Sequence, residues 1–264
     1  MTFALIFKNL NSSYKYRYYV WVVRICTNDK REGKMEIQEI KETLMKEATI
    51  FKTGGIRPTN ELLESWIGKV SWKKENESIP KDADENEMNP LATLFLDGLV
   101  GIPKGLAEIY LITIFISPNV YEHLANVEGY FCIRMYKKQD VLIPCEYINE
   151  DMKAFPLVPK AVYNDMPVWD GGGIPLDIME EILRLEDCED IEYYEDIKED
   201  SYSMHKIGGY PAYVQAGGWD EENFEFAFQI SSDEKATLNI IDNGSFYFFY
   251  CKEDQKWDMQ CDFY

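Results

Sequence analysis

From Met35 onward, apolar residues recur at helical spacing: Ile37, Ile40, Leu44 and Ala48, with charged residues between them. This pattern predicts an amphipathic helix of about 14 residues, stopped by the glycines and proline of "FKTGGIRPT". The polar stretch Asn76–Asn89 reads as a loop. Apolar runs rich in β-branched residues follow at Leu91–Leu96 and Ile109–Ile116, and both read as strands. Gly129–Tyr136 and Val141–Ile148 are two more, separated by "KKQD", a connection of hairpin length.

Leu176, Met179, Ile182 and Leu183 mark a second amphipathic helix over Leu176–Leu185. From Glu186 to Asp200 the chain is acidic, with Lys198 the one opposing charge, and it reads as a solvated connector. In "ATLNIIDNGSFYFFY" the Asn243-Gly244 step stands between two strand patterns, which predicts a tight type I′ hairpin. The first 34 residues differ from the rest, with seven basic residues against two acidic. They are either a segment with a strand over Tyr14–Cys26 or translated upstream sequence ahead of Met35, and the charge break favours the second.

Two glycine pairs punctuate the chain. "FKTGGIRP" holds Lys52, Gly54 and Gly55, and "HKIGGYP" holds His205, Lys206, Gly208, Gly209 and Pro211. Each has a lysine, one intervening residue, two glycines and a proline, and each is followed by a tryptophan, Trp66 or Trp219, and then by an apolar strand pattern. This predicts a duplicated unit, with repeats over about 50–165 and 203–264 joined by the acidic helical connector, in a single domain over residues 35–264. Paired glycines permit positive φ and a proline fixes an extended exit, so the pairs read as turns. Neither G-x-x-x-x-G-K-[ST] nor G-x-G-x-x-G is present to make a phosphate cradle.

The stretch "HKIGGYPAYVQ", His205 to Gln215, is followed by "FEFAFQISSD" with Gln229 and by "GSFYFFY". In these residues the chain resembles the YwqG-like family of bacterial proteins. The resemblance implies an α+β fold, a largely antiparallel β-sheet with an internal duplication and a few amphipathic helices, and it implies no established activity. In the first half Lys52, Gly54, Gly55 and Pro58 fit the pattern, but "TLFLDG" stands where a glutamine matching Gln229 would be.

The formal charge of −20 over 264 residues repels nucleic-acid phosphates and anionic membranes and attracts basic partners. Six cysteines without a C-x-x-C pair read as reduced thiols of a cytoplasmic protein. Two histidines are too few for a His-rich metal site, no D-x-[DN]-x-[DN]-G loop occurs, and no cofactor is implied. Lysine beside His205 disfavours its protonation, and no nucleophile accompanies it in a known motif. The expectation is a non-catalytic binding module for a basic protein, one version being an immunity-type protein that neutralises a basic toxin. The competing expectation is an enzyme or small-ligand protein with a groove between the repeats at His205, Lys206, Gly208, Gly209, Pro211, Gln215 and Gln229, joined by Lys52, Gly54 and Gly55.

Overall fold

The computed structural model describes residues 35–215 and 223–264. The expectations for residues 1–34 and for Trp219 lie outside the described residues. A helix α1 (Ile37–Leu44) leads into strand β1 (Lys46–Thr53). Strands β2 (Ser65–Ile67), β3 (Lys69–Lys73), β4 (Asn89–Phe95), β5 (Leu111–Ile116), β6 (Phe131–Tyr136), β7 (Ile143–Ile148) and β8 (Phe155–Asp165) follow. Helix α2 (Leu176–Glu189) precedes β9 (Lys206–Gly208), β10 (Glu225–Ser231), β11 (Ser245–Cys251) and β12 (Lys256–Asp262).

Ten strands form one antiparallel sheet in the order β12-β11-β10-β9-β1-β8-β2-β4-β5-β6, and β3 pairs with β7 in a small second sheet. The large sheet curls into a nearly closed barrel. Phe131 on β6 meets Phe248 on β11 with ring centres 6.0 Å apart, and Tyr121 stacks on Phe246. The fold is therefore β-rich, which corrects the α+β class expected from the sequence: among the described residues two α-helices of 8 and 14 residues stand against these strands. Both helices contribute to one buried cluster, α1 through Ile40 and Leu44 and α2 through Ile178, Ile182 and Leu185.

Four local expectations also change. Helix α1 stops at Leu44 because residues 48–51 are all buried, a run that suits a central strand, so Ala48 sits in β1 and not on a helix face. Strands β6 and β7 do not form a hairpin with each other; β6 pairs with β5 and β7 with β3. The Asn243-Gly244 step does not close a two-residue turn either: β10 pairs directly with β11, and Asn243 has positive φ while Gly244 does not. Gly244 is needed for another reason, since a β-carbon there would lie 2.1 Å from the Asp262 carbonyl oxygen. The acidic stretch is likewise no free connector. Its first residues complete α2, and Tyr193 and Ile197 are buried against the helices.

The pairing registers relate the two ends of the sheet. The run β2-β4-β5-β6 flanks β8, and the run β9-β10-β11-β12 flanks β1. Ile67 pairs with Ala92 and Trp66 with Thr93; correspondingly Ile207 pairs with Phe228 and Lys206 with Gln229. In the next strand pair the register slips between Pro90 and Ala92 on one side and between Phe226 and Phe228 on the other, so the bulges fall at matching places. Ser65 Oγ accepts the Phe95 N–H at 2.9 Å, and His205 Nδ1 accepts the Ser231 N–H at 3.0 Å. The counterpart of β9 is thus β2, and Gly68 matches Gly208. Lys52-Gly54-Gly55, which the sequence sets against Lys206-Gly208-Gly209, instead belongs to β1 and its exit, and β1 is the hydrogen-bonded neighbour of β9.

Candidate functional site

Lys206 enters the sheet on β9 with its side chain fully buried. Such a burial requires a partner, because an isolated ammonium in an apolar interior is costly. The partner is Asp165, at the end of β8: Lys206 Nζ donates to Oδ1 at 3.0 Å and to Oδ2 at 2.8 Å. Burial pushes the lysine pKa down, and the aspartate beside it opposes that shift. Asp165 also accepts the Tyr210 N–H at 2.8 Å and the Tyr202 N–H at 3.2 Å, so its carboxylate is held by donors on both oxygens. Lys46, which lies over the Tyr210 ring at 3.9 Å, has its pKa held below the usual lysine value by burial, a shift that the charges of Glu225 and Asp165 oppose.

The glycine pair follows from this geometry. Gly208 and Gly209 have φ of 74° and 68°, in the left-handed region that glycine alone enters freely. A β-carbon on Gly209 would fall 2.0 Å from Asp165 Oδ2, and one on Gly208 would fall 1.9 Å from the Gly101 carbonyl oxygen. The turn therefore delivers the Tyr210 N–H to a buried carboxylate. It is a cradle for an aspartate of the same chain.

His205 and Gln229 are committed in the same way. Because His205 Nδ1 accepts from Ser231, the ring proton sits on Nε2, which donates to Asp233 Oδ2 at 3.2 Å. The His205 hydrogen bond comes first among the causes that hold the Asp233 pKa below the usual carboxylate value. Thr53 Oγ1 donates to the same aspartate, and Lys235 Nζ donates to the Thr53 carbonyl at 2.9 Å. Gln229, 0% exposed, accepts the Ala212 N–H at 3.0 Å and donates to the Met204 carbonyl at 3.0 Å.

The structure thus gathers His205, Lys206, Gly208, Gly209 and Gln229 into one buried polar layer, with the exit of β1 at Thr53 and Gly54 on its His205 side. Gly54 and Gly55 have φ of 63° and 89°, but Lys52 is exposed on β1. Pro211 lies in the segment that crosses toward Ala212. Gln215 stands elsewhere: its N–H and the Val214 N–H donate to Asp262 Oδ2 at 3.2 and 2.8 Å, at the end of β12. Asp165 and Asp233, the two carboxylates that organise the layer, were not singled out in the sequence.

Gln215 lines a groove of about 450 Å³ together with Tyr213, Asp258, Gln260, Asp262 and the loop 124–127. A second hollow of about 590 Å³ lies over the loop 232–243, with Asp233 in its wall. Among the described residues no three His, Cys, Asp or Glu side chains converge as a metal site would require, and no helix is long and apolar enough to cross a membrane.

Residues 110–263 match the family described as a domain of unknown function, DUF1963. The chain belongs to the DUF1963 family. The matched span runs from the start of β5 through β12 and so contains the whole buried layer apart from Thr53 and Gly54, together with the groove along β12. No curated protein matches the chain.

Proposed function

We propose that this DUF1963 chain is a non-catalytic protein-recognition module of the YwqG-like kind, an immunity-type protein whose acidic surface captures a basic protein such as a toxin. The observation that carries the reading is the use made of the chain's most reactive residue types. Lys206 and Asp165 have side chains 0% exposed and hydrogen-bonded to each other, and both His205 nitrogens are engaged by the fold. These groups hold β8, β9 and β10 together and present nothing to a solute. The reading draws instead on the charge that the chain carries. A formal −20 favours encounter with a cationic surface over a neutral one.

The test is the association rate with proteins captured from the cells that make this chain, measured with purified components against ionic strength. Steering by the field predicts a rate that falls about tenfold or more as salt shortens the screening length from roughly 30 Å toward 3 Å. A rate independent of salt, or turnover of a small metabolite by the purified chain, contradicts the reading.

A further inference from the structure

The two edges of the large sheet match in register but not in what covers them. Strand β6 pairs Arg134 with Thr113, and β12 pairs Gln260 with Tyr247. With Thr113 opposite Thr93 and Tyr247 opposite Gln229, Arg134 corresponds to Gln260 and Tyr136 to Asp262. In both strands the alternate residues, Phe131, Ile133 and Met135 in one and Trp257, Met259 and Cys261 in the other, pack against the core within the curl. Arg134, Tyr136, Gln260 and Asp262 therefore point to the outer face.

On β6 that face is occupied by the chain itself. Arg134 Nη2 donates to the Ser78 carbonyl at 2.6 Å, and the Tyr136 hydroxyl donates to Glu77 at 2.7 Å. A segment of the chain that bears a carboxylate lies over donors. On β12 the corresponding positions line the groove, and their chemistry is reversed: they are acceptors, Gln260 and Asp262, with Asp258 on the same face. Gln260 Oε1 accepts the Tyr213 hydroxyl at 3.2 Å. Asp262 Oδ2 holds the 214–215 backbone, but Asp262 Oδ1 is enclosed and accepts no hydrogen bond among the described residues. The Tyr247 hydroxyl lies near Asp262 and donates to the Ala212 carbonyl instead. Among the described residues β12 has a strand on one side only. An antiparallel strand in that position directs alternate backbone N–H and C=O groups outward, ready to pair with an added strand.

We propose that the groove along β12 receives an extended segment of a partner protein carrying lysine or arginine, with its cationic side chains against Asp258 and Asp262 and its backbone along the strand edge. The proposal rests on the recognition reading above and names its surface. Tyr213 forms the aromatic wall, and the loop 124–127 forms the opposite side.

The probe is a capped hexapeptide alternating valine and arginine, compared with its counterpart in which norleucine replaces each arginine. Binding is followed by fluorescence anisotropy and by backbone amide shifts. The arginine peptide should saturate the protein, shift the amides of Lys256–Asp262, and bind at least about tenfold more tightly than the norleucine peptide. Asp258→Asn should weaken it severalfold in a protein of unchanged Tm, and Asp262→Asn should do so more strongly if the 214–215 backbone stays in place. Equal binding of the two peptides, shifts confined to other strands, or no saturation at millimolar peptide overturns the proposal. A captured partner whose rate is steeply salt-dependent but indifferent to Asp258→Asn overturns this surface and leaves the recognition reading standing. A salt-independent rate overturns the recognition reading itself.

Discussion

The two runs of four strands, β2-β4-β5-β6 and β9-β10-β11-β12, share register, bulge position and a side-chain acceptor for the backbone two residues beyond the paired position. They differ in what fills the equivalent sites. The first run has Ser65, Trp66 and Thr93, where the second has His205, Lys206 and Gln229. Trp66 fills its place with apolar bulk and carries Lys69 over its ring at 4.5 Å. Lys206 fills the same place with a charge that must be answered by Asp165. The comparison teaches that the sheet needs a large side chain at this position and a turn after it. It does not need a cation, so the ionic layer is an addition particular to the second run.

The comparison can be broken by substitution. Lys206→Met leaves the Asp165 carboxylate buried with its two backbone donors alone, and should cost about 3–5 kcal/mol of stability in denaturant unfolding. Adding Asp165→Leu should return part of that loss, because an apolar pair of similar volume removes the uncompensated charge. A single variant within about 1 kcal/mol of wild type would show that the pair does not hold the sheet.

The matched glycines give the next largest effect. At Gly208 a β-carbon meets the Gly101 backbone at 1.9 Å, while at Gly68 the nearest backbone atom is 3.4 Å away, and φ is 74° and 72°. Gly208→Ala should therefore cost about 3 kcal/mol or more, from collision added to left-handed strain, and Gly68→Ala about 1–2 kcal/mol from strain alone. Equal losses would mean that the second turn is no tighter than the first.

The smallest effect is in acid. Asp233 has a folded pKa below the ordinary value of 3.8. Its contribution is thus fully present above that value and is lost as pH falls through the depressed folded pKa. Asp233→Asn should flatten the fall in stability below about pH 4, by about 1 kcal/mol across the window. Superimposable acid profiles of the two proteins would remove the His205–Asp233 bond from the account.

Much of the strand content was legible in the sequence because β4 and β5 are apolar runs with β-branched residues, as burial on a sheet demands, and β6 sets Phe131, Ile133 and Met135 at alternate positions. The end of α1 was not, since Ala48 keeps helical spacing while belonging to a buried strand. The glycine pairs announced turns correctly as chemistry, with left-handed φ at all four residues. Their mutual alignment misled, because the shared lysine and glycines stand on neighbouring strands and the register equates Ile67-Gly68 with Ile207-Gly208. Asp165 was hidden for a different reason. It lies 41 residues before Lys206, one carboxylate among 47 acidic residues, and only the sheet order brings the two together. The groove could not be read at all, since it joins a loop of the first run to the last strand of the second.

The central claim is that Lys206 is an enclosed structural cation and not a reactive group in an open cleft. Amine-selective labelling of the native protein, with peptide mass spectrometry as a function of time, tests this directly. Lys52, exposed on the neighbouring strand, serves as the internal reference. The account predicts that Lys52 labels at the rate of a free amine, while Lys206 labels only as fast as the protein unfolds and accelerates with denaturant. Labelling of Lys206 at the rate of Lys52 in the folded protein would contradict it and reopen the layer as a reactive site.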